Sequence, residues 1–166
     1  MKKIRVGVIG LGFIGKQHVE ALRRLPYIEI VAGSDSNLSM REWCEKNGIQ
    51  KYYSDYKEML TNENMDVVHN CTPNNFHYEV SCEILKTGCH VYSEKPLTIK
   101  SVEGESLIEL ADKKGLKTAV NFNYRNNLMV QEIQQRIQNG RMGMISHIQV
   151  EYLQDWLEVY LNIEWG

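Results

Sequence analysis

The stretch that most limits what this 166-residue chain can fold into is Gly10-x-Gly12-x-x-Gly15, set between an apolar run and an amphipathic one. Before it, Ile4, Val6, Val8 and Ile9 form a short run suited to a strand covered on both faces. After it, Ile14, Val19, Ala21, Leu22 and Leu25 recur at helical spacing until Pro26 closes the pattern. A second apolar run, Ile28 to Ala32, ends in Gly33-Ser34-Asp35, so an acid stands twenty residues beyond Gly15. Strand, glycine turn, helix, strand and acid in that order predict a βαβ unit of a parallel sheet.

Each glycine has its own physical reason. Gly10 permits a tight turn, Gly12 lets the backbone approach a pyrophosphate, and Gly15 lets the helix pack closely on the strand. The helix start offers unpaired N–H groups and a partial positive charge to an anion. These features imply a bound dinucleotide, with Phe13 and Ile14 beside the turn and Asp35 and Ser36 at the adenosine ribose. A carboxylate there accepts from ribose hydroxyls and repels a 2′-phosphate, and Ser36 and Asn37 supply no arginine. NAD is therefore favoured over NADP, with Arg41 the nearby cation that would offset the repulsion. An Asx turn would explain Asp35 without any ligand.

The alternation continues down the chain. Helical patterns are expected over Ser39–Lys46, Tyr56–Leu60, Phe76–Leu85, Val102–Lys114 and Leu128–Gln138. Strands are expected at Tyr52-Tyr53, Asp66–Cys71, Cys89–Tyr92 and Lys117–Phe122. The class is α/β, a doubly wound parallel Rossmann sheet, whose ligands bind at the carboxyl ends of the strands. Thr72-Pro73-Asn74 and Glu94-Lys95-Pro96 both follow predicted strands and fall on that edge. In the tail, Ile148, Val150 and Tyr152 alternate with polar residues, as in a strand with one wet face. Residues 1–122 are thus expected to form the dinucleotide-binding domain, and 123–166 the start of a truncated α/β substrate and oligomerisation domain.

Composition mainly excludes. With 43% hydrophobic residues, 24% charged and a net charge of −2, the chain offers no electrostatic reason to bind nucleic acid or an anionic membrane. The lysines and apolar residues at the N-terminus lead into a glycine turn and not a cleavage site, and no apolar run reaches membrane-spanning length. A cytoplasmic protein is expected. Cys44, Cys71, Cys82 and Cys89 form no CxxC pair and read as free thiols, and no metal site is expected. His18, His69 and His90 read as packing or capping residues.

Lys95 is the candidate catalytic group. Pro96 biases it to an extended conformation at a strand end, where an ammonium can stabilise charge on a substrate hydroxyl or relay its proton. A turn lysine paired with Glu94 is the plainer reading of the same residues.

VGVIGLGFIGKQH from Val6, Asp35, CTPNNFHYE from Cys71, SEKP from Ser93, NFNYR from Asn121 and NGRMGMISHI from Asn139 stand in one order. Together they resemble the N-terminal portion of the glucose-fructose oxidoreductase, inositol dehydrogenase and MocA family of NAD(P)-dependent oxidoreductases, across essentially the whole chain. The resemblance implies a hydride transfer between nicotinamide and a hydroxyl-bearing carbon of a sugar or polyol, in a homo-oligomeric full-length protein. It places Thr72, Pro73 and Asn74 in the cofactor cleft with His77 next to it, Glu94 at the nicotinamide ribose, and Asn123 beside the cofactor. Lys95 would be the active-site lysine. Arg125, Asp155 and Trp156 would face substrate. Asn121 and Leu128 depart from the family's usual glycine and proline. The aspartate and histidine that family enzymes place near the substrate from later in the second domain have no counterpart here, so this chain alone is expected to bind a dinucleotide and turn over poorly. A non-catalytic dinucleotide-binding or redox-sensing module, and a methyltransferase, are the rival readings. The EKP segment and the glycine spacing argue against the latter.

Overall fold

The computed structural model describes residues 2–153. Strands β1 (Ile4–Ile9), β2 (Ile28–Ser34), β3 (Tyr52–Tyr53), β4 (Val67–Asn70), β5 (His90–Ser93) and β6 (Thr118–Val120) form one sheet in the order β3-β2-β1-β4-β5-β6. Every pairing is parallel. Helices α1 (Phe13–Arg23), α2 (Met40–Lys46), α3 (Tyr56–Asn62), α4 (His77–Lys86), α5 (Ser101–Lys114) and α6 (Leu128–Gln138) follow the strands in turn. The Rossmann architecture expected from the alternation is present, and element boundaries shift by a few residues at most.

Two apolar clusters explain why the order holds. Val6 and Val8 of β1 bury against Val19 and Leu22 of α1 and Cys44 of α2. On the opposite face, Val68 of β4 and Val91 of β5 meet Ile84 and Leu85 of α4 and Leu107 of α5. Parallel strands covered on both faces must be apolar on both, which is the near-continuous pattern the sequence shows. Burying each Leu or Ile side chain stabilises by about 1.5–3 kcal/mol. All four cysteines are free, as expected, with Cys44 and Cys89 buried.

The chain divides at residue 122 into two compact units. In the second, a 3-10 turn over Asn123–Asn126 precedes α6, whose first turn is capped by the Asn127 side chain accepting from Met129 N and Val130 N. Residues 143–153 form neither helix nor strand. The alternation at Ile148, Val150 and Tyr152 therefore does not produce the expected strand among the described residues: Ile148 is 71% and Val150 82% exposed, with no ladder partner. A strand gains its hydrogen bonds only from a neighbour, so its apolar period alone does not form one. No helix among the described residues is long and apolar enough to cross a membrane.

Candidate functional site

β1 lies between β2 and β4, and the connections from these strands leave on opposite sides, which opens a crevice at their carboxyl ends. The glycine turn fills the base of that crevice. Gly10 has φ +86°, and a Cβ there would come 2.5 Å from the Cys71 carbonyl oxygen. A Cβ on Gly15 would overlap the Gly10 carbonyl oxygen, so the absence of a side chain sets how closely α1 starts against the turn. Gly12 differs: a Cβ there would meet nothing within 4 Å. The space above it is open to a ligand. α1 also begins with no side-chain cap and no acid in its first turn, so nothing on its own N-terminus neutralises the dipole.

Asp35 stands at the end of β2. Its Oδ2 accepts from Leu11 N at 2.7 Å and its Oδ1 from Asn37 N at 2.8 Å. The second bond is the Asx turn of the plainer reading, and it coexists with a brace to the glycine turn. Each carboxylate oxygen has a second lone pair to offer a hydroxyl. The Tyr52 hydroxyl holds the same turn by donating to Asp35 O at 2.5 Å, and the Arg41 guanidinium rests 5.5 Å over the Tyr52 ring.

These groups border a cleft of about 730 Å³, within the range of small-molecule and cofactor sites. Gly10, Gly12, Phe13 and Ile14 line one side, Asp35 and Ser36 its end, and Thr72 and Pro73 the side toward β4. Phe76 and Glu79 extend that wall, and Ser54 to Lys57 close it beyond β3. Sequence reasoning missed Ser54–Lys57, although the rule that ligands gather at strand carboxyl ends would have named them had it been applied to β3. Gly15 lies beneath the cleft. Asn74 opens a 3-10 turn just past it. His77 is fully buried, with Nδ1 2.5 Å from Pro96 O and Nε2 2.8 Å from Thr72 O. It ties the Thr72 turn to the Lys95-Pro96 turn from below and does not line the cleft.

Glu94 and Lys95 part company at the end of β5. The Glu94 side chain turns inward and is 7% exposed, while Lys95 stays exposed. Glu94 Oε1 faces His18 Nε2 at 2.9 Å and accepts from Asn121 Nδ2 at 2.5 Å, and Oε2 accepts from Lys95 N at 3.2 Å. Burial raises the carboxyl's pKa, but the Asn121, His18 and Lys95 N–H bonds outweigh it and hold Glu94 below the usual carboxylate range. Among the described residues no carboxylate lies within ion-pair distance of the Lys95 ammonium, so the paired-turn reading does not hold. Asn123 and Arg125 belong to the second unit, where Arg125 borders a groove along α6. Asp155 and Trp156 lie outside the described residues.

A parallel sheet with this strand order, an uncapped glycine-led helix at the point where the order reverses, and an acid ending β2 define a dinucleotide-binding α/β domain. The chain belongs to the oxidoreductase family with an NAD-binding Rossmann fold, whose family model matches residues 4–122. It is 35% identical over 144 residues to the D-glucoside 3-dehydrogenase of Escherichia coli, covering 86% of this chain and 41% of that protein. It is 33% identical over 141 residues to the myo-inositol 2-dehydrogenase of Thermotoga maritima, covering 84% and 42%. Among solved structures, the WlbA dehydrogenase of Bordetella pertussis in complex with NADH and UDP-GlcNAcA is similar, with TM-score 0.81 and 29% identity over 87% of this chain and 42% of that one. The chain thus spans about two fifths of the length of these relatives.

Proposed function

We propose that residues 1–122 are the NAD-binding domain of a dehydrogenase acting on a sugar or cyclitol, and that residues from 123 onward begin its substrate domain. The observation that carries this reading is the cleft at the β1/β4 switch point. It brings the glycine turn, Asp35 and Thr72-Pro73 together on one sheet edge. The printed substrates of the relatives, a glucoside and an inositol, support the substrate class.

The residues fit a dinucleotide by their own geometry. Open space over Gly12 admits a diphosphate to the backbone N–H groups at the start of α1. Asp35 accepts from ribose hydroxyls and repels a 2′-phosphate, which favours NAD over NADP. Phe13, 78% exposed, and Ile14 offer apolar surface along the cleft. When bound, the nicotinamide supplies the hydride chemistry. The exposed Lys95 ammonium, without a carboxylate partner among the described residues, then donates a hydrogen bond to the substrate oxygen and stabilises the negative charge on it as the hydroxyl proton leaves to water. Asn74, Glu94 and Asn123 are assigned to the cofactor side, and Arg125, Asp155 and Trp156 to the substrate side.

Calorimetric titration with NADH and, separately, NADPH tests the cofactor assignment. NADH is expected to bind the more tightly, and Asp35→Ala to weaken it by about ten- to a hundredfold, the loss of hydrogen bonds to a charged group. Equal affinity for both cofactors in Asp35→Ala is the companion result. Failure of the unmodified chain to bind NADH, or an Asp35→Ala variant that binds it normally, would overturn the assignment.

A further inference from the structure

On the α1 side of the sheet, beneath the Glu94-Lys95 turn, lies a cluster of side chains from elements far apart in sequence. His18 of α1 sits between His69 of β4 and Glu94, with Nδ1 2.9 Å from His69 Nδ1 and Nε2 2.9 Å from Glu94 Oε1. Cys71 Sγ is 3.3 Å from the same His18 Nδ1. The Tyr92 ring stacks on His69 with centroids 4.7 Å apart, and its hydroxyl donates to Asn121 Oδ1 at 3.0 Å. We propose that His18 is a positioning residue: the buried line His69–His18–Glu94 clamps the Glu94 carboxylate inward, keeps it off the Lys95 ammonium, and fixes where Lys95 leaves the sheet. The proposal rests on the dinucleotide reading of the cleft for what Lys95 then does.

Counting protons assigns each role. The Glu94 carboxylate only accepts, so His18 Nε2 carries the hydrogen that lies between them. On the other edge of the ring, two groups face Nδ1. Burial, with the Glu94 charge adding to it, pushes the Cys71 thiol up, so it stays S–H, a weak donor and a weak acceptor beside the ring. One hydrogen lies between the facing Nδ1 atoms of His18 and His69, so each ring holds the other in place. The His18 ring is thereby held in one orientation, as a second group commonly does for a functional histidine. The groups facing the ring are His69 and Cys71 from β4, Tyr92 and Glu94 from β5 and its end, and the uncharged Asn121 after β6. Without the His18 donor the carboxylate loses a charge-assisted bond in a buried site, and its nearest alternative is the neighbouring Lys95 ammonium. α1 also carries the glycine turn, so one rigid helix ties the phosphate end of the cleft to the lysine end.

Two measurements on the whole chain test this. The first compares NADH with ADP, which occupies only the half of the site formed by the glycine turn and Asp35. His18→Leu is expected to weaken NADH about tenfold and to leave ADP unchanged, and His18→Gln, whose amide nitrogen replaces the Nε2 donor, to recover most of the loss. Equal losses for NADH and ADP, or no loss for NADH, would overturn the positioning role. The second is imidazole nitrogen NMR of the unmodified chain near neutral pH. It is expected to show His18 protonated at Nε2, toward Glu94; an unprotonated His18 Nε2 overturns the line. Because this second readout needs no cofactor, it separates failure of the clamp from failure of the dinucleotide reading, which would appear as no NADH binding by the unmodified chain.

Discussion

Gly12→Ala is expected to remove NADH binding and leave the fold standing, whereas Gly15→Ala is expected to damage the fold itself. The two glycines lie three residues apart in one turn, yet their surroundings are opposite. A methyl group on Gly12 projects into open space with nothing within 4 Å. It occupies room that a diphosphate needs, at the N-cap of α1. Its cost in stability is that of a poorer cap, about 1 kcal/mol or less, while its cost in affinity is expected to exceed about a hundredfold, since the backbone donors are held off the phosphate oxygens. On Gly15 the methyl overlaps the Gly10 carbonyl oxygen, a backbone atom that cannot swing aside. Either α1 or the turn must move, and overpacking against backbone costs about 3 kcal/mol or more. A protein of this size then melts roughly 10 °C lower. Thermal unfolding and NADH titration of both variants check the contrast. A Gly12→Ala variant that binds NADH normally would show that the phosphates do not lie over this turn. A Gly15→Ala variant that melts with the unmodified chain would show that α1 does not pack on the turn as described.

The β1-α1-β2 unit was legible in the sequence because several local signals agree there: apolar runs, glycines with distinct duties, and Pro26 after the helix. The site residues that were legible sit at punctuation marks, where a strand pattern stops at Gly10, Asp35, Thr72 or Glu94. Those that were not legible lack such marks. β3 is two residues long and pairs with β2 at Gly33 and Ser34 only, so it has too little pattern to point to Ser54–Lys57 beyond it. The family resemblance puts His77 next to the cleft; the 3-10 turn over Asn74–Phe76 precedes α4, and the His77 ring is buried under the sheet edge.

The histidine cluster was illegible for a different reason. His18 and Glu94 are 76 residues apart and meet only because β4 sits between β1 and β5. A weak signal did exist. His69 on β4 alternates with Cys71 just past its end, and Tyr92 on β5 with Glu94 just past its end, so each pair falls on one face of the extended chain. His69 and Tyr92 are also direct neighbours in the β4–β5 register. Four polarisable or ionisable groups on one face of two adjacent strands is unusual for a sheet covered by helices. Reading each histidine singly, as a packing or capping residue, passes over the face they share.

That buried face leads to a pH dependence whose direction is fixed by proton counting. Burial, with the adjoining His18 ring adding to it, lowers the His69 pKa from 6.5 to about 3. In the unfolded chain the same ring titrates at its ordinary value. Between the two values the unfolded state binds a proton that the folded state refuses, so stability rises with pH. The contribution is complete above about pH 6.5 and is lost as the pH falls toward 3, at about 1.4 kcal/mol per pH unit. Glu94 and Glu63, both held below the ordinary carboxylate value of 4.5, lose stability in the same direction but only at lower pH. The interval from pH 6.5 to 5 therefore separates His69 from the carboxylates. Across it the unmodified chain is expected to lose about 2 kcal/mol through this one ring. His69→Leu keeps the volume and removes the proton site, so its unfolding free energy is expected to change by that much less over the interval. Urea unfolding of both chains at several pH values measures the difference directly. If both lost stability equally between pH 6.5 and 5, His69 would be taking up its proton in the folded state.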